Sequence, residues 1–267
     1  MRHLSPDGTS YRLEGQTQLP TVVLCHGVGL DLNAWNAQVD VLSHQFQILR
    51  YDMLGHGETP RQPNVRGIRD FSDQLFNLLA YLELESVSLI GHSMGGVIAQ
   101  YFAFQHPTLL EKLVLMNTVY QRTPAELAGV HTRLALTENK GLSPIADAAI
   151  DRWFKPSFIE NNPSTIAKIR HRLVSNDLDG YLDAYRIFVS ADDDIGDRLK
   201  QVTCPTLVIA GGLDPGSTPQ IAHRMISDLP NSAVIIFEQL GHLAPIEDPD
   251  QINMALLSFL TSSSSGV

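Results

Sequence analysis

Short runs of apolar and β-branched residues recur along the chain, and each is followed by a turn signal and then by a stretch with helical spacing. In 71–82, for example, apolar residues return every three or four positions. Apolar runs of this length between turns predict largely buried strands of a parallel sheet. The predicted strands are Val22–Cys25, Gln47–Tyr51, Val87–Ile90, Leu113–Met116, Thr206–Ile209 and Ala233–Phe237. The pattern predicts an α/β fold with a mostly parallel, doubly wound sheet, to which Ser10–Leu13 adds an antiparallel edge.

The alternation of strand and helix stops after Asn117 and resumes at Cys204. Between them no stretch has a convincing strand pattern, whereas several have amphipathic helical spacing. These stretches include Ile145–Phe154, Thr165–Val174 and Leu182–Val189. A helical insertion in a doubly wound domain is expected to lie over the carboxyl ends of the strands, where such folds bind ligands. We therefore predict a core of residues 1–120 and 199–267 and a helical lid of residues 121–198.

The composition agrees with one globular α/β domain that carries an insertion, since 43% of the 267 residues are hydrophobic and 18% are charged. The net charge of -10 argues against nucleic acid or an anionic membrane as the main partner. The segment Met1–Pro6 lacks the apolar stretch of a secretory signal, and no later run approaches the length of a membrane span. These features predict a cytoplasmic protein. The low-complexity tail Ser262–Gly266 is expected to fray.

Neither the cysteines nor the acidic residues predict a metal site. Cys25 lies in one apolar strand and Cys204 just before another, so buried thiols are expected instead of a disulfide, and two cysteines give no metal-ligand spacing. Asp192–Asp194 and Asp197 lack the spacing of a calcium-binding loop and are expected to form a solvated helix end. The glycine-rich turn Asp52–Gly57 lacks the lysine of a phosphate loop and is interpreted as scaffolding.

The stretch Gly91–Gly96, directly after the apolar run Val87–Ile90, has the form G-x-S-x-G. This pattern is typical of a strand that turns sharply into a helix with a serine held on the turn. Ser93 is expected to adopt a strained backbone conformation, and Gly91 and Gly95 leave room for the strand and the helix to approach each other. We therefore predict that Ser93 is a nucleophile.

A serine hydroxyl needs a base within hydrogen-bond reach, and the base needs a carboxylate to orient it. In hydrolases with this kind of turn, an acid and then a histidine follow the serine along the chain. Asp214 and His242 each follow a predicted strand, so they are expected at the same edge of the sheet as Ser93. The competing position for the acid offers only Asn117. The alternatives are that Asp214 initiates a turn before Pro215 and that His242 is structural.

The oxyanion that forms when a serine attacks a carbonyl needs hydrogen-bond donors, usually two backbone N–H groups. Met94 follows the nucleophile at the start of a helix and is the natural first donor. The second donor is expected in the loop His26–Gly29, which follows the first buried strand, at Val28. The predicted oxyanion hole therefore consists of the N–H groups of Met94 and Val28.

Polar residues near these positions are interpreted as structural. His92, beside the nucleophile, is expected to point away from it and to pack in the interior. Asp248 before Pro249 has the pattern of a helix N-cap, so neither Glu247 nor Asp248 is a catalytic candidate.

With these residues in order, the chain resembles members of the α/β-hydrolase superfamily over nearly all of its length. The matching landmarks are His26–Gly27, Asp52–Gly57, the turn at Ser93, Asp214 and Gly241–His242. The resemblance implies the α/β-hydrolase fold and a triad of Ser93, His242 and Asp214. It does not determine the substrate, because one triad serves esters, lactones, thioesters, peroxides and some carbon–carbon bonds.

The predicted lid is similar to the lid of 3-oxoadipate enol-lactonases. The similar segments are Ile145–Asp147, Asp151–Phe158 and, later, Gly180–Tyr181. In that family a lid tryptophan and nearby arginines are expected to contact a small acidic lactone, which nominates Trp153 and Arg133 as substrate-binding residues. The alternative is that Trp153 belongs to the core and that Arg133 is solvated.

Three functions are consistent with these residues. The first is a serine hydrolase of a small carboxylic ester or lactone, which acts through an acyl-enzyme without cofactor or metal. The second is a hydrolase that cleaves the carbon–carbon bond of ring-cleavage products with the same triad. The third is a ligand sensor or signalling protein that keeps the fold without turnover. No oligomeric state is predicted.

Overall fold

An eight-stranded sheet forms the centre of the computed structural model, which describes residues 1–262. Its strands are β1 (His3–Leu4), β2 (Ser10–Glu14), β3 (Thr21–Cys25), β4 (Gln47–Tyr51), β5 (Val87–His92), β6 (Leu110–Met116), β7 (Thr206–Gly211) and β8 (Ser232–Phe237). Their order is β1-β2-β4-β3-β5-β6-β7-β8. The first two pairings, β1 with β2 and β2 with β4, are antiparallel, and all the others are parallel. The predicted mostly parallel sheet is confirmed.

Helices cover both faces of this sheet. The α-helices of residues 1–262, in chain order, are α1 (Asn36–Leu42), α2 (Ile68–Tyr81), α3 (Met94–Gln105), α4 (Pro124–Lys140), α5 (Ser143–Trp153), α6 (Pro156–Asn161), α7 (Pro163–Val174), α8 (Leu178–Ile195), α9 (Pro219–Asp228), α10 (Ala244–Glu247) and α11 (Pro249–Thr261). In β3, Val22 and Leu24 pack in the cluster that contains α1 and α11. Val23 and Cys25 pack in the cluster that contains α2, α3, α8 and α9. Both faces of a central strand are therefore apolar, which explains its uninterrupted apolar sequence.

The two edges of the sheet differ from the predictions. Ser10–Glu14 is antiparallel as expected, but it is not the edge, because the two-residue strand His3–Leu4 pairs with it. Both residues of that strand are exposed, so the sequence has no apolar pattern there that predicts a strand. At the other edge, Ala233–Phe237 was expected to be a largely buried strand, yet every residue of the observed strand β8 is half-exposed. An edge strand has a neighbour on one side only, and this lowers the burial of its side chains.

All the helices from α4 to α8 lie between β6 and β7 along the chain, and we call them the helical insertion. Its predicted stretch Leu182–Val189 is the middle of the longer helix α8. Helices α5 and α7 form a separate apolar cluster with Leu30 and Leu243, which come from loops of the core. At the start of α8, the backbone of Gly180 is so close to Gly55 that a Cβ atom on Gly55 would lie 2.8 Å from the Gly180 Cα. The insertion is thus packed directly on the loops at one end of the sheet.

Several smaller expectations concern single segments. Asp248 is the N-cap of α11 and Pro249 is its first residue, as predicted. Cys25 and Cys204 are both free; Cys25 is buried as expected, whereas Cys204 is only half-buried. Within residues 1–262, no helix is long and apolar enough to cross a membrane, and no three His, Cys, Asp or Glu side chains are grouped so that they could hold a metal ion. The expected fraying of Ser262–Gly266 lies, beyond Ser262, outside the described residues.

A test of this packing is to add a methyl group where strand and helix meet. A Cβ atom on Gly95 would lie 2.2 Å from the carbonyl oxygen of Cys25, and neither backbone can move away easily. We expect Gly95→Ala to lower the free energy of unfolding by about 2–4 kcal/mol in urea denaturation. In the control Gly67→Ala, a Cβ atom has no neighbour within 4 Å, and the expected loss is about 1 kcal/mol or less. Equal losses in the two variants would contradict the prediction.

Candidate active site

Ser93 lies on the sharp turn between β5 and α3, with backbone angles φ 55° and ψ -117°. These angles are strained for a residue with a side chain and need support from the surroundings. The support comes from close packing: a Cβ atom on Gly91 would lie 2.3 Å from the carbonyl oxygen of Gly95. The backbone N–H of Ser93 also donates to the carbonyl of Met116 at 3.0 Å, and the hydroxyl of Thr118 donates to the Ser93 carbonyl at 2.7 Å. The turn is therefore held from both sides.

The structure brings Ser93, His242 and Asp214 together in one hydrogen-bonded row. Nε2 of His242 lies 3.1 Å from Oγ of Ser93, and Nδ1 of His242 lies 2.6 Å from Oδ2 of Asp214. All three residues are buried. With the proton on Nδ1, the imidazole donates to the carboxylate and accepts from the serine hydroxyl. This arrangement is able to remove the proton from Ser93.

Asp214 receives hydrogen bonds at both carboxylate oxygens. Oδ1 accepts the backbone N–H groups of Gly216 at 2.8 Å and Ser217 at 3.0 Å, and Oδ2 accepts Nδ2 of Asn117 at 3.0 Å. Burial would raise the pKa of Asp214, but the adjacent His242 and these hydrogen bonds outweigh it and hold the pKa well below its usual value. The carboxylate is ionised and fixed in orientation.

Asn117 occupies the position that competed with Asp214 for the role of the acid. It follows β6 with a positive φ of 44°, and its Nδ2 also donates to the carbonyl of Gly241 at 3.3 Å. The sequence indicated only that no acid stands at this position. The structure shows that the amide there connects Asp214 with the loop that carries His242.

The two predicted oxyanion donors lie on either side of the serine. Met94 is the first residue of α3, and Val28 lies in the loop after β3. That loop passes beside Ser93, because a Cβ atom on Gly27 would lie 3.1 Å from Cβ of Ser93. Within residues 1–262 neither the N–H of Met94 nor that of Val28 donates a hydrogen bond. The ring of His26 holds this loop in place. Its Nδ1 donates to the carbonyl of Gly27 at 2.8 Å, and its Nε2 accepts from the backbone N–H of Met53, after β4, at 3.1 Å.

His92 has a polar contact that the sequence did not indicate. It is buried as expected, and its Nε2 donates to the backbone carbonyl of His242 at 2.8 Å. Burial, together with the neighbouring His242, lowers the pKa of His92 to about 3, so the ring is neutral. It acts as a hydrogen-bond donor to the loop that carries His242.

A small cavity of about 50 Å³ lies between the sheet and the helical insertion and reaches Ser93 and His242. Trp153 lines it, and its ring stacks on the His242 ring with centroids 5.8 Å apart. Arg133 also lines the cavity, and its Nε donates to the hydroxyl of Tyr185 at 3.0 Å. Val28 is a lining residue too, whereas Met94 is fully buried beneath the serine. The two residues nominated from the sequence as substrate-binding, Trp153 and Arg133, therefore both line the cavity.

Arg152 is a further cavity residue that the sequence did not single out. Burial and the nearby guanidinium of Arg133 lower the pKa of Arg152. Among the described residues, no carboxylate forms a salt bridge with Arg133 or Arg152, and the one acid in the cavity lining, Asp214, is hydrogen-bonded to His242. Two positive charges without counter-ions beside the serine make the cavity attractive to an anion. Helical spacing alone could not show that Arg152 faces the cavity.

Comparison with known proteins agrees with this geometry. Residues 20–249 match the family described as alpha/beta hydrolase fold. The chain is 30% identical to the (E)-2-((N-methylformamido)methylene)succinate hydrolase of Acinetobacter baylyi, over 97% of each chain. It is similar to the crystal structure of the enol-lactonase from Burkholderia xenovorans, with a TM-score of 0.88, 27% identity and coverage of 95% of this chain and 97% of the other. It is also similar to a malate-bound thermophilic esterase from Thermogutta terrifontis, with a TM-score of 0.85, 29% identity and coverage of 97% and 98%.

The buried histidines around this site predict that acid destabilises the protein. Burial is the main reason that the pKa of His56, like that of His92, is lowered to about 3 and that the pKa of His26 is also lowered. Below a pH of about 6.5 the unfolded chain binds protons at these residues and the folded protein does not. The free energy of unfolding should therefore fall as the pH decreases from about 6.5 toward about 3. Urea denaturation at a series of pH values measures this slope.

The variant His56→Gln removes one of these titrating groups. We expect the slope of unfolding free energy against pH between about 4 and 6 to decrease by about 1.4 kcal/mol per pH unit. His44 is exposed, so His44→Gln should leave the slope unchanged. The prediction is wrong if both variants keep the slope of the original protein.

Proposed function

The chain belongs to the alpha/beta hydrolase fold family, and we propose that it is a serine hydrolase of a small, acidic carboxylic ester or lactone. One observation carries the proposal: hydrogen-bonded Ser93, His242 and Asp214 line a small cavity that is also lined by two arginines, neither of which forms a salt bridge with a carboxylate of residues 1–262. The relatives named above include an enol-lactonase, an esterase and a hydrolase of a succinate derivative. These names support hydrolysis as the reaction and a small molecule as the substrate.

In the proposed mechanism His242 takes the hydroxyl proton of Ser93 as Oγ attacks the carbonyl carbon of the substrate. Asp214 stabilises the imidazolium that forms, and its hydrogen bonds to Gly216, Ser217 and Asn117 keep it ionised. The tetrahedral intermediate collapses to an acyl-enzyme, and the leaving oxygen receives the proton from His242. Water then attacks the acyl-enzyme by the same route, and the acid product leaves. No step requires a cofactor or a metal ion.

The N–H groups of Met94 and Val28 are the proposed oxyanion donors. Their lack of other acceptors within the described residues supports this role, because a buried N–H group otherwise finds a partner. The Met94 N–H is held in place by α3, and the loop of the Val28 N–H is held by the His26 hydrogen bonds. Preorganised donors of this kind stabilise charge that develops in the transition state.

Arg133 and Arg152 are the proposed partners of a carboxylate group on the substrate. A guanidinium binds a carboxylate with two parallel hydrogen bonds, and partial burial strengthens the attraction. The names of two relatives mention a succinate derivative and bound malate, which are both carboxylic acids, and this supports a carboxylate on the substrate. Trp153 would provide an apolar wall next to His242.

We further propose that residues 121–198 act as the lid of this site and that residues 1–120 and 199–267 form the core. Val130, Arg133 and Arg152, and also Trp153, Tyr185 and Phe188, line the cavity from the insertion side, whereas Ser93, Asp214 and His242 line it from the core side. Substrate selection would then depend on the insertion, and bond cleavage on the core.

Replacement of the nucleophile tests the reaction class. We expect Ser93→Ala to lower the turnover of 4-nitrophenyl acetate by about 10⁴-fold or more and to abolish labelling by a fluorophosphonate, because Ser93 is the one hydroxyl residue within 1–262 that is hydrogen-bonded to the His242 ring. The control Ser190→Ala changes an exposed serine on α8 and should retain both. Unchanged turnover in Ser93→Ala would disprove the assignment. Hydrolysis of ring-cleavage dienoates with simple esters untouched would favour the carbon–carbon hydrolase instead.

Replacement of an arginine tests the substrate class. We expect Arg152→Met to raise KM for an acidic ester, such as 4-nitrophenyl hemisuccinate, by about 10- to 100-fold, because a desolvated charge pair is lost. KM for the neutral 4-nitrophenyl acetate should change little. Arg170→Met is the control, since Arg170 lies on α7 and pairs with the exposed Asp147. Equal changes for the acidic and the neutral ester would show that Arg152 has no role in charge recognition.

A further inference from the structure

One buried carboxylate near the site has no part in the mechanism above. Glu247 ends the short helix α10, five residues after His242, and its side chain is 0% exposed. It is not among the residues that line the cavity, so it does not reach a substrate there. A buried carboxylate needs hydrogen-bond donors to offset its desolvation. The residues that donate to Glu247 therefore indicate which parts of the fold this side chain connects.

The donors of Glu247 come from two different parts of the fold. Oε2 accepts the backbone N–H of Gly241 at 2.7 Å. Oε1 accepts the backbone N–H of Lys155 at 3.3 Å, and Nζ of Lys155 lies 3.8 Å away. Gly241 precedes His242 in the core, whereas Lys155 lies between α5 and α6 of the insertion. One carboxylate therefore bridges the catalytic loop and the insertion.

The backbone around His242 is held at each of its four polar groups. Besides the N–H of Gly241, the Gly241 carbonyl accepts from Asn117, the His242 N–H donates to the Trp153 carbonyl at 2.9 Å, and the His242 carbonyl accepts from His92. Gly241 has no room for a side chain, because a Cβ atom would lie 2.4 Å from the Trp153 carbonyl oxygen. Among these partners only Glu247 is a carboxylate, and charge-assisted hydrogen bonds are the stronger kind.

We propose that Glu247 is a positioning residue, which fixes the Gly241–His242 backbone against the Trp153–Lys155 segment and thereby aims the His242 ring at Ser93. The inference rests on the proposed function for its kinetic consequence. Small displacements of a catalytic base reduce the rate strongly, because proton transfer requires a short and well-aligned contact. Substrate binding is not affected directly, since Glu247 lies behind the cavity.

The test is Glu247→Gln, which keeps the size of the side chain. The amide oxygen can still accept one N–H, but the amide NH₂ then faces a second N–H donor. We expect kcat for an acidic ester to fall by about 10- to 100-fold, with KM within about 2-fold of the original value. The far-downfield proton signal of the His242–Asp214 hydrogen bond should shift or broaden, and the Gly241 amide should exchange with deuterium faster.

A matched control is Glu126→Gln. Glu126 also ties the insertion to the core, since it accepts from Arg224 on α9 and from the backbone N–H of Thr123, but it lies outside the cavity lining. This variant should keep kcat and the downfield signal. If Glu247→Gln does not fold, as judged by its thermal unfolding, Glu247→Asp replaces it. That variant keeps the charge but cannot reach both donors, and its kcat should also fall with KM unchanged.

The outcomes separate the two proposals. If activity depends on Ser93 and the folded Glu247 variant keeps both kcat and the downfield signal, the positioning role is disproved and the proposed function stands. If the original protein shows no Ser93-dependent turnover, the proposed function fails. The positioning role is then judged by amide exchange alone: faster exchange at Gly241 in Glu247→Gln, with no change in Glu126→Gln, supports it, and equal exchange in both variants disproves it.

Discussion

The strained backbone of Ser93 is the constraint on which the rest of this structure depends. A residue with a side chain holds φ 55° and ψ -117° only when its surroundings leave no alternative. Here α3 lies so close to the end of β3 that a Cβ atom on Gly95 would overlap the Cys25 carbonyl. On the other side of the turn, the backbone N–H of Ser93 donates to the carbonyl of Met116 at the end of β6. The turn is therefore fixed by two neighbouring strands and not by its own sequence alone.

Because β5 lies near the centre of the sheet, the loops that follow four of the other parallel strands converge on Ser93. The loop after β3 carries Val28, the loop after β6 carries Asn117, and the loops after β7 and β8 carry Asp214 and His242. Each loop contributes polar groups in a buried region, where an unpaired group would be costly. The hydrogen bonds between the loops offset that cost and also set the orientation of the Asp214 and His242 side chains. The same hydrogen bonds therefore stabilise the loops and fix the geometry of the Ser93, His242 and Asp214 row.

The sequence predicted the strands and the row of Ser93, His242 and Asp214 because those signals are local. A buried parallel strand is a continuous apolar run, and the polar residues that follow it lie at a known edge of the sheet. Arg152 could not be found in this way, since the face that α5 turns to the cavity depends on how the insertion packs. From the sequence, Asn117 was notable only because it is not an acid. Its role could not be predicted, because it contacts Asp214 and Gly241, which are distant in the chain.

The contribution of the insertion to the site is the least visible in the sequence, because backbone atoms make part of it. The carbonyl of Trp153 holds the N–H of His242, and any residue type at position 153 offers that carbonyl. At the end of α7, Nδ2 of Asn176 donates to the carbonyl of Gly29 at 2.8 Å, in the loop that carries Val28. If Trp153 and the end of α7 moved outward, the contacts that hold the loop of His242 and the loop of Val28 would break. The insertion therefore lines one side of the cavity and forms part of the framework that shapes it.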